Sequence, residues 1–284
     1  MSTQRFIVGA LAVASVATGL TFAATRSGGT VEALDFTVDV FAPSDDVAPG
    51  DRVCADAAGH CSLRAAIIEV EALSGENSIL LPAGDHDLGG AITVTSNLNI
   101  TRSDWSVAAP NPVIDLDDGP GFRVELGKLT FQGIDIVNGL DPDRTGGAAV
   151  YGVGAEIGLF DGEFRNHRTD GYGGVVFVTN GTVRVAGATF VDNAALGGGA
   201  IAGVGIEFTA QSSTFETNGA SGGGGAVHLL DPSHFSIDGT TFTNNTALDQ
   251  GGALYIRGQS SRGSRQLLSP TFDGNSAGNE GGAV

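Results

Sequence analysis

Lysine occurs once in this 284-residue chain, at Lys128, and the 14 Lys and Arg residues together face 32 Asp and Glu, for a net charge of −18. So little positive charge argues against nucleic-acid partners and anionic membranes, which are both held through basic patches. Cysteine is nearly as scarce, with Cys54 and Cys61 alone. No further Cys or His stands at a recognisable zinc spacing, so a structural metal centre lacks its ligand set. After residue 23 no apolar run is long enough to cross a bilayer. The second half also lacks a ten-residue amphipathic helix pattern and a leucine scaffold. Those absences set aside alternating strand–helix folds and leucine-rich repeats.

Glycine, by contrast, is abundant and periodic. Gly-Gly pairs begin at Gly146, Gly173, Gly198, Gly224, Gly251 and Gly281, at steps of 27, 25, 26, 27 and 30 residues. Phe164, Phe190, Phe215, Phe242 and Phe272 keep steps of 26, 25, 27 and 30. Two unrelated residue types sharing one period in this range are the signature of stacked repeats. Short apolar runs follow the pairs, such as Val175–Val178 and Ala253–Ile256, and a second alternating run, such as Thr182–Val185, comes next. Their length and their branched and aromatic content are strand-like. The pattern predicts an all-β, right-handed parallel β-helix in which each repeat is one coil of roughly three strands and three turns. Stacking at about 4.8 Å would place the phenylalanines in an inward column. Asn193, Asn218, Asn245 and Asn275 each lie three residues after a phenylalanine and are expected to form an amide ladder. His167 takes that place in the first repeat, so the ladder is expected to start imperfectly.

Phe215-Glu-Thr-Asn218, Phe242-Thr-Asn-Asn245, Gly224-Gly-Ala-Val227 and Gly251-Gly-Ala-Leu254 carry a resemblance. Phe-x-x-Asn alternating with Gly-Gly-Ala-(Ile/Leu/Val) is similar to the repeat pair of the polymorphic outer-membrane protein family, over about residues 130–284. The resemblance implies a β-helical surface adhesin or passenger, usually followed by an outer-membrane barrel. The chain stops at Gly281-Gly-Ala-Val284, on the strand that would open another coil, and is expected to be truncated there.

The N-terminal third has a different texture. Arg5, the apolar run Phe6–Leu20 and Thr21-Phe22-Ala23 read as a secretory signal over residues 1–23. Its removal takes one base and no acid, so 13 bases against 32 acids leave −19. In an exported chain Cys54 and Cys61, with six residues between them, are expected to form a disulfide. Closing so short a loop contributes about 2–3 kcal/mol on the chain-entropy estimate. The competing metal reading has only His60 beside Cys61 to support it. Ser62 is a good N-cap, and Leu63, Ala66, Ile67, Val70 and Leu73 share one helical face. A helix there would cap the open end of the first coil. Cys61-Ser-Leu-Arg-Ala-Ala-Ile67, preceded by Pro49-Gly-Asp-Arg-Val-Cys54 and followed by Ile79-Leu-Leu-Pro-Ala-Gly84, resembles the CSLREA domain over about residues 35–90. It departs from that family at Ala65 and at Val70-Glu71. The resemblance implies a secreted bacterial or archaeal β-helix protein, generally without an established catalytic activity. The expected organisation is a signal over 1–23, a cap and first coil over 24–90, and repeats over 91–284.

Sites are sparse. Pectin-hydrolase-like enzymes on this fold need clustered aspartates, a Gly-His-Gly and an Arg-Ile-Lys stretch, none of which occurs. Asp45-Asp46 and Asp117-Asp118 are acid pairs by type, but adjacent residues on a strand point to opposite faces. Both are expected in solvated loops. Arg257, Arg262 and Arg265 flank a Gln-Ser-Ser insertion and suit an exposed loop. Counting four residues from each first glycine gives Val150, Phe177, Ala202, His228 and Tyr255. Phe177, His228 and Tyr255 form a candidate outward binding row, interrupted at Ala202, for sugars or partner proteins. The threonines Thr189, Thr214, Thr241 and Thr271 form another row, broken by its mixed neighbours. No cofactor or metal is expected. The sequence therefore predicts an exported, non-catalytic surface or extracellular protein with a structural or adhesive role. Its expected partner is an extracellular polysaccharide or a cell-surface protein, and the alternative is a polysaccharide-active lyase or glycoside hydrolase.

Overall fold

The computed structural model describes residues 33–258 and 263–284. The expected signal segment, Gln259-Ser260-Ser261 and Arg262 lie outside the described residues. Residues Glu32–Val284 form one compact unit. It is a parallel β-solenoid with four sheets running along its axis, of nine, eight, seven and six strands among the described residues. One coil shows the plan. Val176–Thr179 lies in the seven-stranded sheet, Thr182–Ala186 in the nine-stranded, Thr189–Val191 in the eight-stranded and Ala194–Ala195 in the six-stranded. The three expected strands are joined by this fourth, two-residue strand, too short to leave a periodic signal.

Each coil turns at single residues in the left-handed conformation. In this coil they are Asn180, Asp192, Gly187 and Gly198, with φ of 54°, 53°, 62° and 65°. Gly, Asn and Asp occupy most such corners because other residues lose about 1–2 kcal/mol there. At Gly173 a Cβ would also lie 2.0 Å from the Val176 carbonyl oxygen, so no side chain fits. Gly147 makes the same approach to the Val150 carbonyl. The first pair is therefore registered on its second glycine, and Val150 pairs with Val176 while Tyr151 pairs with Phe177. This corrects the count from Gly146 by one residue.

The core is columnar. Phe164, Phe190, Phe215 and Phe242 are fully buried, with successive ring centroids 5.0, 4.6 and 4.9 Å apart and near-parallel planes. Phe272 extends the stack at 5.1 Å and is partly buried. Full burial of each ring contributes about 2–3 kcal/mol. The asparagines lie beside this stack. Asn218 Nδ2 donates to Asn245 Oδ1 at 2.9 Å and to the Phe190 carbonyl at 3.0 Å. Its Oδ1 accepts from Asn193 Nδ2 at 2.9 Å and from Asn193 N at 3.2 Å. The same pattern links Asn245 to Asn275. The buried amides of the ladder are thus paired, and each one stitches neighbouring coils together.

His167 continues the ladder rather than spoiling it. Its backbone N donates to Asn193 Oδ1 at 3.0 Å. Its Nδ1 accepts from Gly139 N at 3.0 Å, and its Nε2 donates to the Ile136 carbonyl at 3.0 Å. One ring nitrogen plays the amide oxygen and the other the amide nitrogen, which requires the neutral imidazole. Complete burial pushes its pKa down to about 4, partly opposed by the bond to Ile136.

The helix α1, Leu63–Ala72, begins at Ser62, whose side chain accepts from Ala65 N. It packs on the strands Glu76–Leu81 and Ile92–Val94, closing the first coil with Leu63, Ile67 and Val70. The strand Asp35–Thr37 pairs with Glu76–Leu81 and is itself the edge strand of the nine-stranded sheet. Glu69, on the buried face, accepts from Gly50 N and Arg52 N and so fixes the loop before the disulfide. Cys54 and Cys61 are bonded, with Cα atoms 5.2 Å apart.

Three outcomes follow from this packing. Asn218→Ala strands the Asn193 side-chain donor and the Phe190 carbonyl, and is expected to lower unfolding free energy by roughly 3 kcal/mol in urea titrations. Leu126, at a corner with φ 57°, pays the left-handed penalty, so Leu126→Asn should raise stability by about 1 kcal/mol, read as a higher Tm. For His167 the folded pKa lies below the unfolded value, so its contribution is full above about pH 6.5 and lost as pH falls through 4. His167→Asn keeps the ladder without the titration. Its stability, compared with wild type from pH 7 to 4, should fall by roughly 3 kcal/mol less.

Candidate binding face

The seven-stranded sheet carries the outward aromatic residues. In its true register the row reads Arg123, Tyr151, Phe177, Ala202, His228 and Tyr255. Ala202 does not break the stripe. Tyr172, from the turn before the Gly173 corner, packs between Phe177 and His228, with ring centroids 5.9 Å and 5.4 Å away. Tyr151 stands 6.0 Å from Phe177, and His228 stands 4.7 Å from Tyr255. The Arg123 guanidinium lies 5.0 Å over Tyr151 and extends the row by a cation–π contact. Tyr151, Tyr172, Phe177 and Tyr255 are half-buried, each showing part of its ring to solvent.

His228 differs from the outward placement expected of it. It is 8 % exposed, enclosed between Tyr172 and Tyr255. Its Nδ1 donates to the Gly223 carbonyl at 2.9 Å, which leaves Nε2 an acceptor with no partner among the described residues. Burial pushes its pKa below the ordinary histidine value, against the opposing pull of that bond. The imidazole is therefore neutral at pH 7. Beside it opens a cavity of about 220 Å³ whose lining includes Tyr172, His228, Tyr255, Asp249 and Arg257.

Two glycines make this arrangement possible. A Cβ at Gly197 would come within 2.6 Å of His228 Nδ1 and 3.0 Å of the Tyr172 ring, and one at Gly223 within 3.1 Å of Tyr255. The extra glycines in Gly197-Gly198-Gly199 and Gly222–Gly225 were the signal for Tyr172. It went unread because Tyr172 precedes its strand rather than sitting in the repeat column. A larger groove of about 870 Å³ is lined by residues that include Ala194, Leu196, Gly219, Thr246 and Leu248. Leu196 lines both hollows.

The other candidates resolve into structure. Asp46 is buried rather than solvated, and its carboxylate accepts from Ala48 N and Ala55 N. Asp45 pairs with Arg64 at 2.7 Å. Asp117 and Asp118 both sit at positive φ in a turn, not on a strand. Arg265 Nη2 donates to the Gly258 carbonyl at 3.4 Å, and Arg257 borders the 220 Å³ cavity. Thr189, Thr214, Thr241 and Thr271 align in register on the eight-stranded sheet. On the nine-stranded sheet Arg184 bridges Glu156 and Glu207 at 2.8 and 3.6 Å, exposed pairs of little energetic weight. Among the described residues no three His, Cys, Asp or Glu side chains are grouped to hold a metal ion.

Residues 239–257 match the repeat of the Chlamydia polymorphic membrane proteins. The matched stretch runs from Phe242 and Asn245 through Gly251-Gly252 to Tyr255 and Arg257, so it contains both ladder residues and one end of the aromatic face. No curated protein and no solved structure matches the chain. The repeat and the β-helix together suggest a surface or extracellular β-helical protein, associated with the cell surface or outer membrane. No helix among the described residues is long and apolar enough to cross a membrane.

Proposed function

We propose that this is an exported, non-catalytic β-helical protein whose role is adhesive, with the aromatic face gripping extracellular polysaccharide. Residues 1–23 serve as a removable signal, residues 24–90 as a CSLREA-like cap and first coil, and residues 91–284 as the repeat scaffold. The observation that carries this reading is the unbroken row of half-exposed rings, Tyr151, Phe177, Tyr172 and Tyr255, held on a rigid parallel sheet. Rings fixed by a backbone ladder lose little entropy on binding, and their faces suit the C–H side of a sugar. The cap supports export, since its disulfide belongs to an oxidising compartment.

Retention of the full chain in gels containing insoluble or soluble polysaccharides tests the reading. Mobility should fall in at least one polysaccharide, and the Tyr172→Ala/Tyr255→Ala double variant should recover free mobility while keeping its circular dichroism. Reducing ends should not accumulate in the same mixtures. Release of oligosaccharides would make the protein an enzyme, and free mobility in every polysaccharide would remove the adhesive role.

A further inference from the structure

The cavity beside His228 has a chemistry more specific than an aromatic patch. His228 is more than nine-tenths buried, and its Nε2 reaches solvent with no hydrogen-bond partner among the described residues, so it is free to meet a ligand. Asp249 borders the same cavity, its Oδ1 accepting from Asn279 Nδ2 at 2.7 Å and its second oxygen without a partner among the described residues. Arg257 borders it too and makes no side-chain hydrogen bond or ion pair among the described residues. Tyr172 and Tyr255 supply ring surface on either side of His228. The volume, about 220 Å³, is below the range of about 300–1,000 Å³ that suits drug-sized ligands, and fits one small ring.

We infer that this cavity is a subsite for a single neutral pyranose unit of a polysaccharide lying along the solenoid axis. The inference rests on the glycan-binding reading above and narrows it to a ligand class. A neutral sugar offers hydroxyl groups that both donate and accept. The His228 Nε2 and the Asp249 carboxylate take two hydroxyl protons, and Arg257 donates to a hydroxyl or ring oxygen. The apolar ring face rests on tyrosine. Acceptors and a donor of both signs around one small cavity match a polyol better than an anion. A carboxylated sugar would satisfy Arg257 but would face Asp249 and a chain of net charge −18. Further rings along the row, Phe177 and Tyr151, lie about one coil apart, so successive sugars of an extended chain would meet successive aromatic residues.

Calorimetric titration of the full chain with hexasaccharides tests this, using cello-, xylo-, manno- and laminari-oligomers against oligogalacturonate and oligoguluronate. At least one neutral hexasaccharide should bind, with affinity changed less than twofold between 0.05 and 0.5 M salt, on the order expected when no ion pairs form. Asp249→Asn and Tyr255→Ala should each weaken it at least tenfold, and Tyr255→Phe should weaken it less than threefold, with unchanged melting for Asp249→Asn as the fold control. Binding confined to the uronates and abolished by Arg257→Gln overturns the neutral-sugar subsite and leaves glycan adhesion standing. Neutral binding insensitive to Asp249 and Tyr255 also overturns the subsite while preserving adhesion. Absence of binding to every oligomer, together with free mobility in every polysaccharide gel, overturns both.

Discussion

The repeat distance between stacked coils, about 4.8 Å, is the constraint to which every other feature conforms. Backbone amides of one coil must meet carbonyls of the next, so corresponding residues lie directly above one another for the length of the sheets. A corner that cannot be made in one residue would push its coil out of step. Left-handed glycine, asparagine and aspartate at the turns satisfy that demand, as at Asn180, Asp192 and Gly198. The same superposition turns single residues into columns. Phenylalanine rings stack on phenylalanine rings, and amides bond to amides, wherever the sequence repeats the same residue at one register position.

Columns explain both what holds the molecule and what it displays. Inward columns bury the rings and pair the amides, while outward columns repeat whatever chemistry the sequence places there. The Tyr–Phe–His face exists because neighbouring coils present aromatic residues at one register position, and because Gly197 and Gly223 leave room for rings from adjacent turns. The acidic surface has no comparable order. Buried carboxylates such as Asp46 and Glu69 fix loops, while surface ones form exposed pairs such as Glu156 with Arg184.

Periodicity made the coils legible in the sequence, since Gly173, Phe190 and Asn193 recur at nearly constant steps. The helix Leu63–Ala72 was legible through its cap at Ser62 and its apolar face. Features that do not repeat were harder to read. The two-residue strand Ala194–Ala195 has no alternation to detect, and the first glycine pair hides a shift of one residue. Tyr172 was missed because it reaches the aromatic face from a turn, and His228 was placed outside because its enclosure depends on that missing neighbour. His167 was legible as an exception but not as a substitute. Only the positions of Gly139 and Ile136 show that an imidazole spans the same two bonds as an amide.

The amide ladder also has a mechanical meaning. Asn193, Asn218 and Asn245 each bond to coils on both sides, so peeling away one of these coils breaks the same set of contacts as peeling the next. Work against a pulling force is then divided into nearly equal steps, each releasing one coil of chain while the remainder stays folded.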